Sequence, residues 1–122
     1  MKTLNDYFAH FQALAKQGKS LEIIDLYYSE QIVQYENNVA AYKSKAALLG
    51  HETTSLAKVN SLEISVQNVV IDEARQMIWG EMTNRFELKK GGKKILNEAF
   101  FQQWEDGKIV VQKFYYKGVE DD

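Results

Sequence analysis

The sequence predicts an α+β fold, on two observations. Apolar residues recur every three or four positions through the first half of the 122-residue chain and every second position after about residue 59. The second half is punctuated by tight-turn signals, and little βαβ alternation separates the two regimes. The expected architecture is a set of three N-terminal helices packed in a curved, mainly antiparallel sheet.

Leu4, Tyr7, Phe8, Phe11, Leu14 and Ala15 share one helical face, with Thr3 or Asn5 as the cap and Gly18 as the stop. Ser20 offers an N-cap for a second helix, whose apolar stripe is Leu21, Ile24, Leu26, Tyr27 and Tyr28. Residues 31–36 are short and β-prone, and Asn37-Asn38 reads as a turn. Residues 40 to about 57, rich in Ala, Leu and Lys, predict a third helix with Gly50 as its weak point. Residues 59–71, 74–88 and 93–116 then alternate as strands. The last is broken by Asp106-Gly107, the pair a two-residue hairpin turn selects because both central residues need positive φ. Lys90-Gly91-Gly92-Lys93 marks a second hairpin and Asp72-Glu73 a third.

Fifteen basic and seventeen acidic residues give a net charge of −2, which argues against a nucleic-acid partner. Cysteine is absent and only His10 and His51 supply imidazoles, so no metal site is expected. No apolar run approaches the roughly 20 residues of a membrane-spanning helix, and no secretory h-region is visible. The chain therefore reads as one cytoplasmic domain over residues 1–122, without a membrane partner. No proline, Ser/Gly tract or internal repeat divides it.

The turns also predict which residues share a face. Pairing Glu105 with Lys108 and Lys90 with Lys93 places Trp79, Glu81, Thr83, Arg85, Glu98, Phe100, Gln102, Trp104, Val111, Lys113 and Tyr115 together. The opposite face, with Met82, Asn84, Phe86, Asn97, Phe101, Phe114 and Tyr116, is the more apolar and is assigned to the helices. The outer face would then expose two tryptophans and a tyrosine among paired charges, the composition of an interface. A homodimer through Trp79, Glu81, Arg85, Glu98, Trp104 and Lys113 is expected, with Arg85 and Glu98 paired.

The order of elements resembles the nuclear transport factor 2-like superfamily, which includes ketosteroid isomerases and SnoaL-like polyketide cyclases. The ending Trp104-Glu105-Asp106-Gly107-Lys108-Ile109-Val110-Val111-Gln112-Lys113-Phe114-Tyr115-Tyr116 is similar to the W-x-D-G-K-I-V-x-x-[RK]-F-Y-Y ending of many small SnoaL-like proteins. The resemblance spans residues 3–118. It implies a cystatin-like cone with an internal pocket, commonly dimerised through the sheet.

The isomerases of that superfamily place a carboxylate base at the end of the first strand, where an apolar pocket raises its pKa. Glu36 lies near that position and is the candidate catalytic residue, although a Glu before Asn-Asn is also a common solvated turn residue. The phenol that those isomerases present from the first helix is replaced by Phe11, so their activity is not carried over. Tyr7, Tyr27, Tyr28, Tyr35 and Tyr116 remain alternatives for a hydroxyl. Candidate pocket residues are Phe11, Tyr27, Tyr35, Asn84, Asn97 and Tyr116. The two asparagines qualify because a buried amide needs a partner. The functional expectation is a pocket for a small, largely apolar molecule, with isomerase or cyclase chemistry and no cofactor. The alternative is a non-enzymatic dimeric ligand carrier or protein-interaction module.

Overall fold

A computed structural model describes residues 1–122. Helix α1 (Leu4–Lys16) and helix α2 (Ser20–Tyr27) form a hairpin, and strand β1 (Tyr28–Glu36) follows α2 without a loop. Strand β2 (Val39–Tyr42) precedes helix α3 (Lys45–Leu56). The long strands β3 (Val59–Asp72), β4 (Met77–Leu88), β5 (Gly92–Glu105) and β6 (Lys108–Tyr116) complete the sheet, and a two-residue β7 (Glu120–Asp121) pairs with β5. The sheet order is β2-β1-β6-β5-β4-β3, antiparallel throughout except for the parallel β1–β6 pair.

Thr3 caps α1 by accepting from Asp6 N, and Asp6 bonds back to Thr3 N, so two orphan amides are satisfied reciprocally. The β3–β4 turn adds a third contact, because the Glu73 carboxylate accepts from Leu4 N and Asn5 N. Gly18 ends α1 at φ +71°, with Lys19 N bonding Leu14 O and Gly18 N bonding Ala15 O. A Cβ there would sit 2.2 Å from Leu62 O, so glycine is also what lets the helical hairpin close onto β3.

The third helix begins later than its composition predicts. Asn37 and Asn38 both adopt positive φ and turn the chain back as a β hairpin, with Glu36 opposite Val39. Val39–Tyr42 is therefore strand, and Ser44 caps α3 by accepting from Ala47 N. Ser20 is likewise inside α2 rather than capping it, and Leu26 is 43% exposed while Ile23 takes its place in the core.

Two irregularities reverse the face expected for β5, while β4 and β6 keep the inner faces the sequence predicts. The β4–β5 turn leaves Leu88 opposite Gly92, a three-residue loop instead of two, so Trp79 faces Phe101 rather than Trp104. Between β5 and β6 the register slips at Val110: Trp104 still pairs with Ile109, but Gln103 pairs with Val111 and Gln102 with Gln112. The first moves the whole side-chain set of β5 to the other face, and the second restores that of β6 beyond Val110. The inner face consequently carries Ile78, Met82, Asn84, Glu98, Phe100, Gln102, Trp104, Gln112, Phe114 and Tyr116. Gly80 belongs to it too, where a Cβ would strike the Phe100 ring at 2.9 Å.

Trp104 and Glu98 are thus not on the outer face. Trp104 is 1% exposed, packed by Tyr7, Phe11 and Tyr27 at the closed end of the cone. Burying an aromatic ring of this size stabilises by about 3 kcal/mol, which no surface position would supply. Around it Leu4, Phe8, Phe11, Ile32, Ile78 and Ile109 form the core. No helix is long and apolar enough to cross a membrane.

Candidate functional site

Helices α1, α2 and α3 cover only part of the inner sheet face, leaving a cavity of about 490 Å³. Twenty-seven residues line it and 17 are hydrophobic, so most of any occupant's surface would meet apolar groups. Phe11, Ala15, Ile23, Ile24, Leu48, Leu62, Met82 and Phe86 form those walls. His51, Glu52 and Ser55 of α3 also border the cavity.

Polar groups are concentrated in one row across four neighbouring strands: Glu36 on β1, Tyr116 on β6, Glu98 on β5 and Asn84 on β4. Tyr116 and Glu98 are direct register partners. Tyr116 donates its hydroxyl proton to Glu36 Oε1 at 3.2 Å, and Gln34 Nε2 donates to Glu36 Oε2 at 3.3 Å. Asn84 Nδ2 donates to Glu98 Oε1 at 2.7 Å.

The two carboxyls have different environments. Burial pushes Glu98 up to about 7, the charge of Glu36 adds to the rise, and the Asn84 hydrogen bond opposes it. Burial also raises Glu36, but there the Tyr116 and Gln34 donors and the nearby His51 favour the ionised form. The site therefore holds one acid poised near neutrality beside one better stabilised as a carboxylate, the separation that lets a pair divide acid and base roles. Tyr28, fully buried at the start of β1, has its phenol raised well above the usual range by desolvation. It accepts a hydrogen bond from Gln112 Nε2 at 2.7 Å. No cluster of three His, Cys, Asp or Glu residues is arranged to hold a metal ion.

Of the predicted pocket residues, Phe11, Asn84 and Tyr116 border the cavity together with Glu36. Three others lie elsewhere. Asn97 is on the outer face, where its Oδ1 accepts from Thr83 Oγ1, because the three-residue β4–β5 turn reversed its strand. Tyr35 alternates with Gln34 and Glu36 along β1 and so points outward, under the Lys113 ammonium at 5.4 Å. Tyr27 packs in the core against Tyr7 and Trp104, with its hydroxyl bonded to His10 Nδ1.

The expected interface set divides similarly. Trp79, Glu81, Arg85 and Lys113 are on the outer face, whereas Glu98 and Trp104 are inside. Arg85 meets Asp122 at 3.5 Å instead of Glu98, and Glu81 accepts from Asn68 Nδ2. Sequence reasoning missed Glu98, Gln34 and Gln102 as inner polar groups. The available signal was the spacing Gln34-x-Glu36 and Glu98-x-Phe100-x-Gln102-x-Trp104, polar groups in step with large apolar ones.

No family model and no curated protein matches this sequence. Solved structures do match its fold. A SnoaL-like polyketide cyclase from Agrobacterium tumefaciens superposes with a TM-score of 0.73 at 14% identity, over 96% of this chain and 93% of that one. An NTF2-like protein from Anabaena variabilis gives 0.69 at 14% identity, over 93% and 86%. An LEH-like epoxide hydrolase from M. tuberculosis gives 0.73 at 12% identity, over 91% and 80%. The class is thus an α+β cone with a polar-floored pocket. The fold is that of the SnoaL-like, nuclear transport factor 2-like proteins.

Proposed function

We propose that the cavity binds a small, largely apolar carbonyl compound and moves a proton on it, by isomerisation or aldol cyclisation, using the chain's own side chains. The unequal Glu36–Glu98 pair in an otherwise apolar cavity is the observation that carries this reading. Glu36, as carboxylate, removes the proton from the carbon next to the carbonyl. The C–H electron pair becomes the new C=C bond, and the carbonyl oxygen takes up the negative charge. Glu98, in its acid form, donates a hydrogen bond to that oxygen. The Tyr28 phenol serves as a second donor, since its oxygen already accepts from Gln112 and its hydrogen is left for a ligand. The proton then returns to another carbon, or the enolate carbon attacks a second carbonyl.

Native mass spectrometry of freshly purified protein would identify a retained molecule. Exchange of its α-carbon hydrogens in D2O, followed by NMR, would then report proton transfer without assuming the final product. Glu36→Gln should keep the ligand and slow exchange by at least about 100-fold, the usual worth of a positioned base. Undiminished exchange would remove Glu36 from this role. Ligand uptake with no exchange in the wild type would favour a carrier, a reading supported by the predominance of apolar lining.

The outer sheet face supports a second copy of the chain as partner. Trp79, 40% exposed, packs on Phe101 and shares a shallow groove with Lys113 and with Tyr115, which is 39% exposed. Large aromatic surface left open on the outer face of a sheet is characteristic of an interface.

A further inference from the structure

Beneath the acidic row, one rung of side chains crosses three strands. Trp104 Nε1 donates to Gln102 Oε1 at 3.0 Å, and Gln102 Nε2 donates to Gln112 Oε1 at 2.8 Å. Gln112 Nε2 donates to Gln34 Oε1 at 2.9 Å, and Gln34 Nε2 reaches Glu36 Oε2. Gln102 and Gln112 are 0% exposed. They are register partners, as are Gln112 and Gln34, and it is the slip at Val110 that places Gln112 opposite Gln102. Without it, Gln102 would face Val111 and the rung would be cut.

The ends of the chain fix its direction. An indole N–H only donates, so Gln102 must turn its oxygen to Trp104 and its NH2 to Gln112. Gln112 must then present its oxygen to Gln102 and its NH2 to Gln34, whose NH2 is left for Glu36. Reversing any one amide would set two NH2 groups or two oxygens against each other. All three amide dipoles therefore align with their N–H ends toward Glu36, and aligned hydrogen bonds polarise one another.

The far end has its own requirement. Glu36 accepts on both oxygens, from Gln34 and from Tyr116, whereas the hydrogen bond on Glu98 falls on Oε1 alone. The ionised form is therefore better satisfied by donors at Glu36 than at Glu98. The other titratable groups around Glu36 are Tyr28 on β1, Glu98 on β5, Tyr116 on β6, Tyr42 on β2 and His51 on α3. Glu98 opposes its ionisation and His51 is exposed at the rim, so the Tyr116 hydroxyl first, and the buried Gln34 amide second, are the principal supports for its charge.

We infer that Trp104, Gln102, Gln112 and Gln34 form a polarised positioning chain that, acting with the Tyr116 hydroxyl, keeps Glu36 the ionised member of the acid pair and leaves the proton on Glu98. This rests on the reading of Glu36 as the base, and it assigns that role's support to residues that act on Glu36 through hydrogen bonds.

The test is an NMR titration of ligand-free wild-type protein, following the Glu36 and Glu98 side-chain carboxyl carbons, the glutamine NH2 groups and the Trp104 indole N–H. Glu36 should ionise at lower pH than Glu98. The Gln34, Gln112, Gln102 and Trp104 signals should shift with Glu36, with amplitudes decreasing in that order. Gln102→Leu, which leaves Gln34 on Glu36, should tighten proton binding at Glu36 about threefold, roughly half a pKa unit. Gln102, Gln112 and Trp104 signals that stay fixed while Glu36 titrates would overturn the inference, as would Glu36 holding its proton to higher pH than Glu98. The wild-type titration decides even if the variant does not fold. Because no ligand is present, a correct titration order without α-carbon exchange would sustain the positioning chain and refute only the catalytic reading.

Discussion

Replacing Glu98 by glutamine should make the protein more stable at alkaline pH and leave it unchanged in acid. The folded-state pKa of Glu98 is about 7, against the usual 4.5. Below about pH 4.5 the carboxyl is protonated in folded and unfolded chains alike, so it contributes no pH dependence. Between 4.5 and 7 the folded chain holds a proton that the unfolded chain has released, and stability falls as pH rises. Above 7 the folded state carries the whole cost of a buried carboxylate, about 3 kcal/mol. In Glu98→Gln the new amide oxygen would keep the hydrogen bond from Asn84, and the amide would not ionise. Urea denaturation of both proteins at pH 4, 6 and 8, followed by tryptophan fluorescence, isolates Glu98 and its coupling to Glu36, because carboxyls that do not interact with Glu98 cancel in the difference. The midpoints should coincide at pH 4 and separate by between about 1 and 3 M at pH 8, the variant being the more resistant. A separation that does not vary with pH would refute the placement of Glu98 in the cavity floor.

Trp79→Glu should give a folded protein that elutes as a monomer at concentrations where the wild type elutes as a dimer. Trp104→Glu should fail to fold, because its ring is 1% exposed against Tyr7, Phe11 and Tyr27. A wild type that is already monomeric at high concentration would refute the outer-face dimer. Gly50→Ala should raise stability by about 0.5–1 kcal/mol, since Gly50 lies within α3 with nothing within 4 Å of an added Cβ. Gly18→Ala should lower it by more than about 2 kcal/mol, because the left-handed backbone and the approach of Leu62 O both oppose a Cβ. Thermal unfolding of the two variants checks their opposite signs.

The hairpin of α1 and α2, the strand after it and the Asp106-Gly107 turn were legible because each depends on local chemistry. Asp106 and Gly107 both adopt the positive φ their turn type demands, and Gly18 closes its helix as its position implies. Sheet faces depend instead on counting. Alternation in β5 offers two sets, one with Leu96, Phe100 and Trp104 and the other with Ile95, Ala99 and Phe101, of nearly equal apolar content. Local sequence cannot choose between them when the Lys-Gly-Gly-Lys turn accommodates either two or three loop residues. The choice is made by tertiary packing, where α1 presents Phe8 and Phe11 to Phe100 and Trp104.

That single parity governs the candidate site more than it governs the fold. Glu36 was accessible to sequence reasoning because it ends a strand beside a recognisable turn. For its partner Glu98, alternation alone predicts an outer ion pair with Arg85, a reasonable fate for a charged residue in such a strand. The structure turns the same carboxyl inward, where Asn84 is its direct hydrogen-bond partner and Glu36 its principal charged neighbour. Burial then converts an ordinary surface glutamate into a group that titrates near neutrality. The slip at Val110 has the same effect on Gln112, drawing it from opposite Phe101 into the rung that ends at Glu36. The chemistry of this cavity thus depends on two backbone details, a third loop residue and one extra strand residue, that decide which polar side chains are desolvated together.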